Sequence, residues 1–168
     1  MDTPLTLVKS PVDERDWHYG SIVKAPEELP ERVSLRSKCG QVRQQGNAGF
    51  CHSFAGTALK NVQETLERGD RKYNFSPLGL AKSIKSNDGI TFTEGSTLLD
   101  VCQALCRDGV FDEVFYPYEK YDPSIFKNTG KIAFPEMPVS KSEEARIPRY
   151  YCKNYARIDT LQDLKTSL

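Results

Sequence analysis

The sequence predicts one globular domain whose regular structure is mainly helical. Four segments repeat apolar residues at helical spacing next to capping or stop residues. The stretches between them are broken by most of the ten prolines. With 168 residues, 38% of them hydrophobic and 27% charged, the chain is long enough and apolar enough to bury a core.

Residues 1–28 read as an extended arm lying on the body of the protein. Pro4, Pro11 and Pro26, with Pro30 just beyond, leave no helical period. Trp17 and Tyr19 are expected to anchor the arm by burying their rings. Asp13, Glu14, Arg15 and Asp16 read as a solvated turn. The main domain spans residues 29–168, and Val33, Leu35 and Val42 suggest short extended pieces at its start.

The stretch Val42–Arg68 organises the rest. Its first half is a polar turn containing Gly46 and Gly49. Its second half is an amphipathic helix with Phe54, Ala55, Ala58, Leu59, Val62 and Leu66 on one face, closed by Gly69. A second helix starts at Ser76-Pro77, an N-cap followed by proline at the first helical position. Leu78, Ala81 and Ile84 give it an apolar side, and Asn87-Asp88-Gly89 closes it. A third begins at Ser96 or Thr97, carries Leu98, Val101, Cys102, Leu105 and Cys106 as its stripe, and stops at Gly109. Phe111 to about Ile158 reads as a long irregular segment pinned by aromatic burial. The last helix is expected to begin with Asp159, with Gln162 completing a capping box. Leu161, Leu164 and Leu168 mark its apolar side. No cap or polar tail follows, so the helix looks cut rather than finished.

Charge is balanced, 23 basic against 23 acidic residues. No basic run interleaves with aromatics, which argues against nucleic acid as partner. No apolar run is long enough to span a bilayer and no signal peptide is visible, so a cytoplasmic protein with reduced thiols is expected. The odd count of five cysteines cannot all pair within the chain. Cys39 and Cys152 are left uncommitted. Asn74-Phe75-Ser76 matches a glycosylation sequon, read here as chance.

Cys51 falls at the joint between polar turn and helix. Unpaired N–H groups and the helix dipole favour a thiolate there, so it reads as a nucleophile; the competing reading is a small buried cysteine. Gln45, six residues earlier in the turn, tips the balance. Its amide and a backbone N–H at the helix start could hold an oxyanion. Acyl transfer also needs a base, usually histidine. His52 lies about 100° round the helix from Cys51 and reads as a pocket-lining residue. His18 sits in the arm and reads as a surface residue. Cys102 and Cys106 lack two further ligands for a tetrahedral metal site, so core packing is expected; no metal and no cofactor is read.

The segment Gln45-Gly46-Asn47-Ala48-Gly49-Phe50-Cys51-His52-Ser53-Phe54-Ala55 resembles the active-site motif Q-G-x-C-G-S-C-W-A-F of papain-family cysteine peptidases. Leu29-Pro30 with Val33-Ser34-Leu35-Arg36 resembles that family's mature N-terminus. Ser10 to Asp16 is similar to the leader of bacterial members of the xylellain type. Phe75-Ser76-Pro77, Glu94-Gly95-Ser96, Asp108-Gly109-Val110 and Tyr116-Pro117-Tyr118 match in the same order.

The resemblance implies an α+β, papain-like fold, represented here mainly by its helical left lobe with the β-rich right lobe largely absent. It implies Cys51 as nucleophile and Gln45 as oxyanion donor. Glu94, Gly95 and Ser96 would form a wall for substrate backbone, with Gly49 and His52 beside the cleft. The catalytic histidine and asparagine are expected C-terminal to Leu168 or on a second chain, so this chain alone should be inactive or nearly so. The substrate implied is a peptide or protein. A non-catalytic papain-like domain that binds protein or peptide is the alternative. Ala48 stands where many relatives have a bridging cysteine, and His52 where they have tryptophan.

Overall fold

The computed structural model describes residues 6–69 and 72–168. Their α-helical segments are α1 (Tyr19–Ile22), α2 (Cys51–Arg68), α3 (Pro77–Lys85), α4 (Leu98–Arg107), α5 (Pro123–Thr129), α6 (Lys141–Glu144) and α7 (Leu161–Thr166). Single turns of 3-10 helix lie at Arg36–Lys38, Glu113–Phe115 and Tyr118–Lys120. Extended pairing among the described residues is limited to isolated bridges, His18 with Arg157, Phe75 with Asp112 and Val110 with Tyr150. The pieces expected around Val33 and Val42 form no strand.

Local signals place the three long helices where the sequence puts them. Ser76 Oγ accepts from Gly79 N at 2.9 Å, and Pro77 occupies the first helical position of α3. Thr97 and Asp100 form a reciprocal capping box on α4. Gly69 ends α2 at φ +96°, and Gly89 turns the chain after α3 at φ +66°. The cap of α7 is one residue later than expected: Thr160, not Asp159, accepts from Asp163 N. Asp159 is instead held by His18 and Arg157.

α2 packs against both α3 and α4. Gly56 permits the close crossing, since a Cβ there would lie 2.6 Å from Val101 Cγ1 and 2.9 Å from Leu80 Cδ2. The core has two parts. Phe75, Leu80, Ile84, Val101, Ala104, Leu105 and Val110 fill the space between α3 and α4. Ala48, Phe50, Leu78, Ala81, Phe111, Tyr116, Tyr121 and Ile147 bury the aromatic segment against α3 and the turn before α2. That segment is therefore pinned by its rings, but it contains the short helices α5 and α6, which its prolines concealed.

The orientation of α2 reverses the expectation from its apolar stripe. His52, Ser53, Thr57, Lys60, Asn61, Glu64 and Thr65 are buried, whereas Leu59 and Leu66 are 65% and 53% exposed. The polar side faces inward because its charges and amides find partners there. Lys60 Nζ lies 2.7 Å from Glu64 Oε1 and donates to Tyr151 O at 2.8 Å. The second Glu64 oxygen contacts the Arg68 guanidinium as an ion pair rather than as a well-angled hydrogen bond. Asn61 Oδ1 accepts from Phe75 N at 3.2 Å. In α4 the buried residues are Val101, Ala104 and Leu105; Leu98 is exposed, and Cys102 and Cys106 are half-buried.

The arm runs over this body in two places. Tyr19 N donates to Arg157 O at 2.8 Å and Arg157 N to Trp17 O at 2.6 Å, tying α1 to the chain before α7. Tyr19 is half-buried and its hydroxyl reaches Thr166 O, but Trp17 is 57% exposed and does not anchor the arm with its ring. Leu161, Leu164 and Leu168 are exposed.

Candidate active site

Cys51 is the first residue of α2 and is half-buried. The turn before it is fixed from several sides. Tyr118 Oη donates to Gln45 O at 2.8 Å. Arg43 donates to Phe75 O at 3.0 Å, pairs with Glu113 at 2.5 Å, and covers the Phe54 ring. Burial raises the Glu113 pKa, against the opposing pull of the Tyr118 amide and Arg43. Phe50 is fully buried against Tyr121 and Phe134, so the backbone entering the helix is clamped by aromatic packing.

Gln45 shares this turn with Cys51. Its Nε2 donates to Ala48 O at 2.8 Å, which uses one of the two amide hydrogens and fixes the side chain across the loop.

The Glu94-Gly95-Ser96 turn lies against the same loop. Lys85, almost wholly buried, pairs with Asp88 at 2.9 Å and donates to Thr93 O and Gly95 O, each at 3.0 Å. The Glu94 side chain does not face solvent. It is 5% exposed; one oxygen accepts from Gly49 N at 2.7 Å and the other from the Tyr121 hydroxyl. Burial first, then that bond to Glu94, raises the Tyr121 pKa. Ser96 is fully buried, and its hydroxyl donates to Asp100.

A main chain already passes between these two walls. Thr6 Oγ1 donates to Gly49 O at 2.9 Å and lies 3.7 Å from Cys51 Sγ. Val8 N donates to Ser96 O at 3.1 Å, and Ser10 Oγ accepts from Leu99 N at 3.2 Å. Gly95 makes the passage possible: a Cβ there would sit 1.5 Å from Thr6 O. The resemblance gave this turn as a wall for substrate backbone; in this structure the backbone lying on it is the arm's.

Neither histidine hydrogen-bonds Cys51 among the described residues. His52 is 1% exposed, with its ring edge-on to Phe50 and neither ring nitrogen in a well-formed hydrogen bond among the described residues. It lies in the interior, not on an open pocket wall. Its pKa is lowered to about 4, by burial first and the Lys85 charge second. His18 Nδ1 is 2.5 Å from Asp159 Oδ2, in the arm's other attachment. All five cysteines are free, and no group of three or more potential metal ligands occurs among the described residues. No helix is long and apolar enough to cross a membrane.

The sequence reading missed Thr6, Lys85, Tyr118 and Tyr121 at this site. Phe75-Ser76-Pro77 and the Gly95 turn signalled structure nearby, but no local pattern linked the arm to Gly49.

The architecture is that of the helical lobe of a papain-like fold. No family model and no curated protein matches the chain. Among solved structures, xylellain, a cysteine protease from Xylella fastidiosa, superposes with a TM-score of 0.72 at 20% identity, covering 96% of this chain and 61% of its own. A structure addressing the mite allergens Blo t 1 and Der p 1 matches at TM-score 0.61 and 16% identity, over 96% of this chain and 46% of the other. Digestive procathepsin L 3 of Tenebrio molitor larval midgut matches at TM-score 0.52 and 26% identity, over 65% of this chain and 36% of the other. The chain thus spans about three fifths of the xylellain chain, and less of the others.

Proposed function

We propose that this chain is the nucleophile-bearing lobe of a cysteine peptidase that cleaves peptide bonds through an acyl-enzyme on Cys51. The observation that supports it most is the meeting of Cys51, at the N-terminus of an 18-residue helix, with a wall whose Gly95 admits a peptide backbone. Cys51 Sγ attacks the scissile carbonyl. Its own N–H and the free hydrogen of the Gln45 amide stabilise the oxyanion. The base is a histidine beyond these 168 residues, held with an asparagine on a second lobe. That lobe rests on the apolar side of α2, where Leu59 and Leu66 are exposed.

The arm occupies the path that a substrate would take, so it must leave before a peptide can bind. Deleting residues 1–10 is expected to speed alkylation of Cys51 by iodoacetamide; an unchanged rate would show that Thr6 does not shield the thiol. The function itself is tested by incubating the native protein, isolated from its cell, with an unfolded polypeptide. Cleavage that disappears in Cys51→Ala supports the peptidase. Tight binding without cleavage supports instead a peptide-binding domain, a reading favoured by the burial of His52 and the engagement of His18 elsewhere.

A further inference from the structure

A carboxylate buried to 5% exposure beside a candidate nucleophile needs a reason, because an unpaired buried charge is costly. Glu94 has two partners and both belong to the cleft. Gly49 N–H, two residues before Cys51, is satisfied by nothing else described, and the Glu94 contact at 2.7 Å has the length of a charge-assisted bond. Tyr121, whose ring packs on Phe50, donates to the other oxygen. One carboxylate therefore fixes Gly49 directly and, through the Tyr121 ring, backs Phe50, the one residue between Gly49 and Cys51. Lys85 holds the same turn from behind, through the carbonyls of Thr93 and Gly95. Cleft wall and nucleophile turn are thus joined across 45 residues of sequence by a single side chain.

We propose that Glu94 is a positioning residue for the Cys51 site: its carboxylate ties the Gly49 amide to the Gly95 wall and sets the distance between nucleophile and substrate backbone. Its catalytic consequence rests on the peptidase reading; its geometry does not. Loss of the tie lets wall and nucleophile drift apart. A reagent that must engage both suffers, whereas one that meets only the thiol does not.

The test compares two alkylating probes on the full chain and on the chain without residues 1–10, whose wall is open: iodoacetamide, which needs only Cys51, and a peptidyl epoxide, which must also lie along the wall. Hydrogen exchange at the Gly49 amide is read in parallel. Glu94→Ala is expected to slow the epoxide by about ten-fold while changing the iodoacetamide rate far less, and to lose protection at Gly49. Glu94→Gln keeps an acceptor for Gly49 and restores both readouts. If Glu94→Ala does not fold, Tyr121→Phe, which frees one carboxylate oxygen, is expected to show a smaller loss of the same kind. Equal slowing of both probes, failure of Gln to rescue, or unchanged Gly49 protection would each overturn the proposal. A chain that takes iodoacetamide but never the epoxide, even with residues 1–10 deleted, counts against the peptidase reading alone. Gly49 exchange then decides the role of Glu94 by itself.

Discussion

The two faces of α2 differ in a way that composition alone would reverse. The inward face carries Lys60, Asn61, Glu64 and Thr65; the outward face carries Ala55, Ala58, Leu59 and Leu66. An amphipathic helix ordinarily buries its apolar stripe. Here the polar side is buried because every charge on it is paired or hydrogen-bonded, and because Gly56, on the same side, lets α3 and α4 approach. A stripe of leucines shows that a helix has two sides. It does not say which side meets the chain's own core and which awaits another surface.

The strongest way to break the contrast is at the buried ion pair. Glu64→Ala leaves the Lys60 ammonium buried without its carboxylate and is expected to cost about 3–5 kcal/mol in urea unfolding. Lys60→Met combined with Glu64→Leu should recover most of it. A loss below ~1 kcal/mol for the single variant would show that this face is solvated.

His52, on the same inner face, predicts an acid transition. Its folded pKa of about 4 lies below the ordinary 6.5, so the unfolded chain binds the proton more readily. Its contribution is therefore intact above pH 6.5 and is lost as pH falls towards 4, by about 3 kcal/mol in all. His52→Leu should flatten stability over that window. A slope unchanged by the substitution would place the titrating group elsewhere.

Asn61→Ala removes the acceptor of the buried Phe75 N–H and is expected to cost about 1–3 kcal/mol by thermal unfolding. On the outer face the same assay should barely respond. Leu59→Ser with Leu66→Ser is expected to shift the stability of the isolated chain by no more than about 0.5 kcal/mol per site. A loss of several kcal/mol would mean that this face is packed after all.

The helices and the nucleophile turn were legible because their signals are local. Ser76-Pro77, Thr97 with Asp100, and Gly69 act within one helical turn, and Gln45 and Cys51 lie six residues apart. The Asp159 cap was misplaced by one residue because Thr160 competes for the same role. Long-range features were silent. Thr6 meets Gly49 across 43 residues, and no periodicity reports such a contact. Glu94 was placed on the substrate wall by resemblance and Lys85 went unread; the burial of either is invisible locally, since charged residues are almost never fully buried unless paired, and their partners lie far along the chain or on its carbonyls. The stripe of α2 was legible as a stripe but its environment was not, because pairing of Lys60 with Glu64 at i, i+4 does not declare itself buried.

Under the proposed peptidase function, Cys51 is a nucleophile awaiting a base on a lobe that covers the apolar side of α2. The most direct measurement is the rate at which a peptidyl epoxide modifies Cys51, read by intact mass, in this chain alone and in the native protein isolated from its cell. A general base contributes roughly 10²–10⁴-fold, so the native protein should react at least about 100-fold faster. Equal rates in the two would contradict the need for a second lobe.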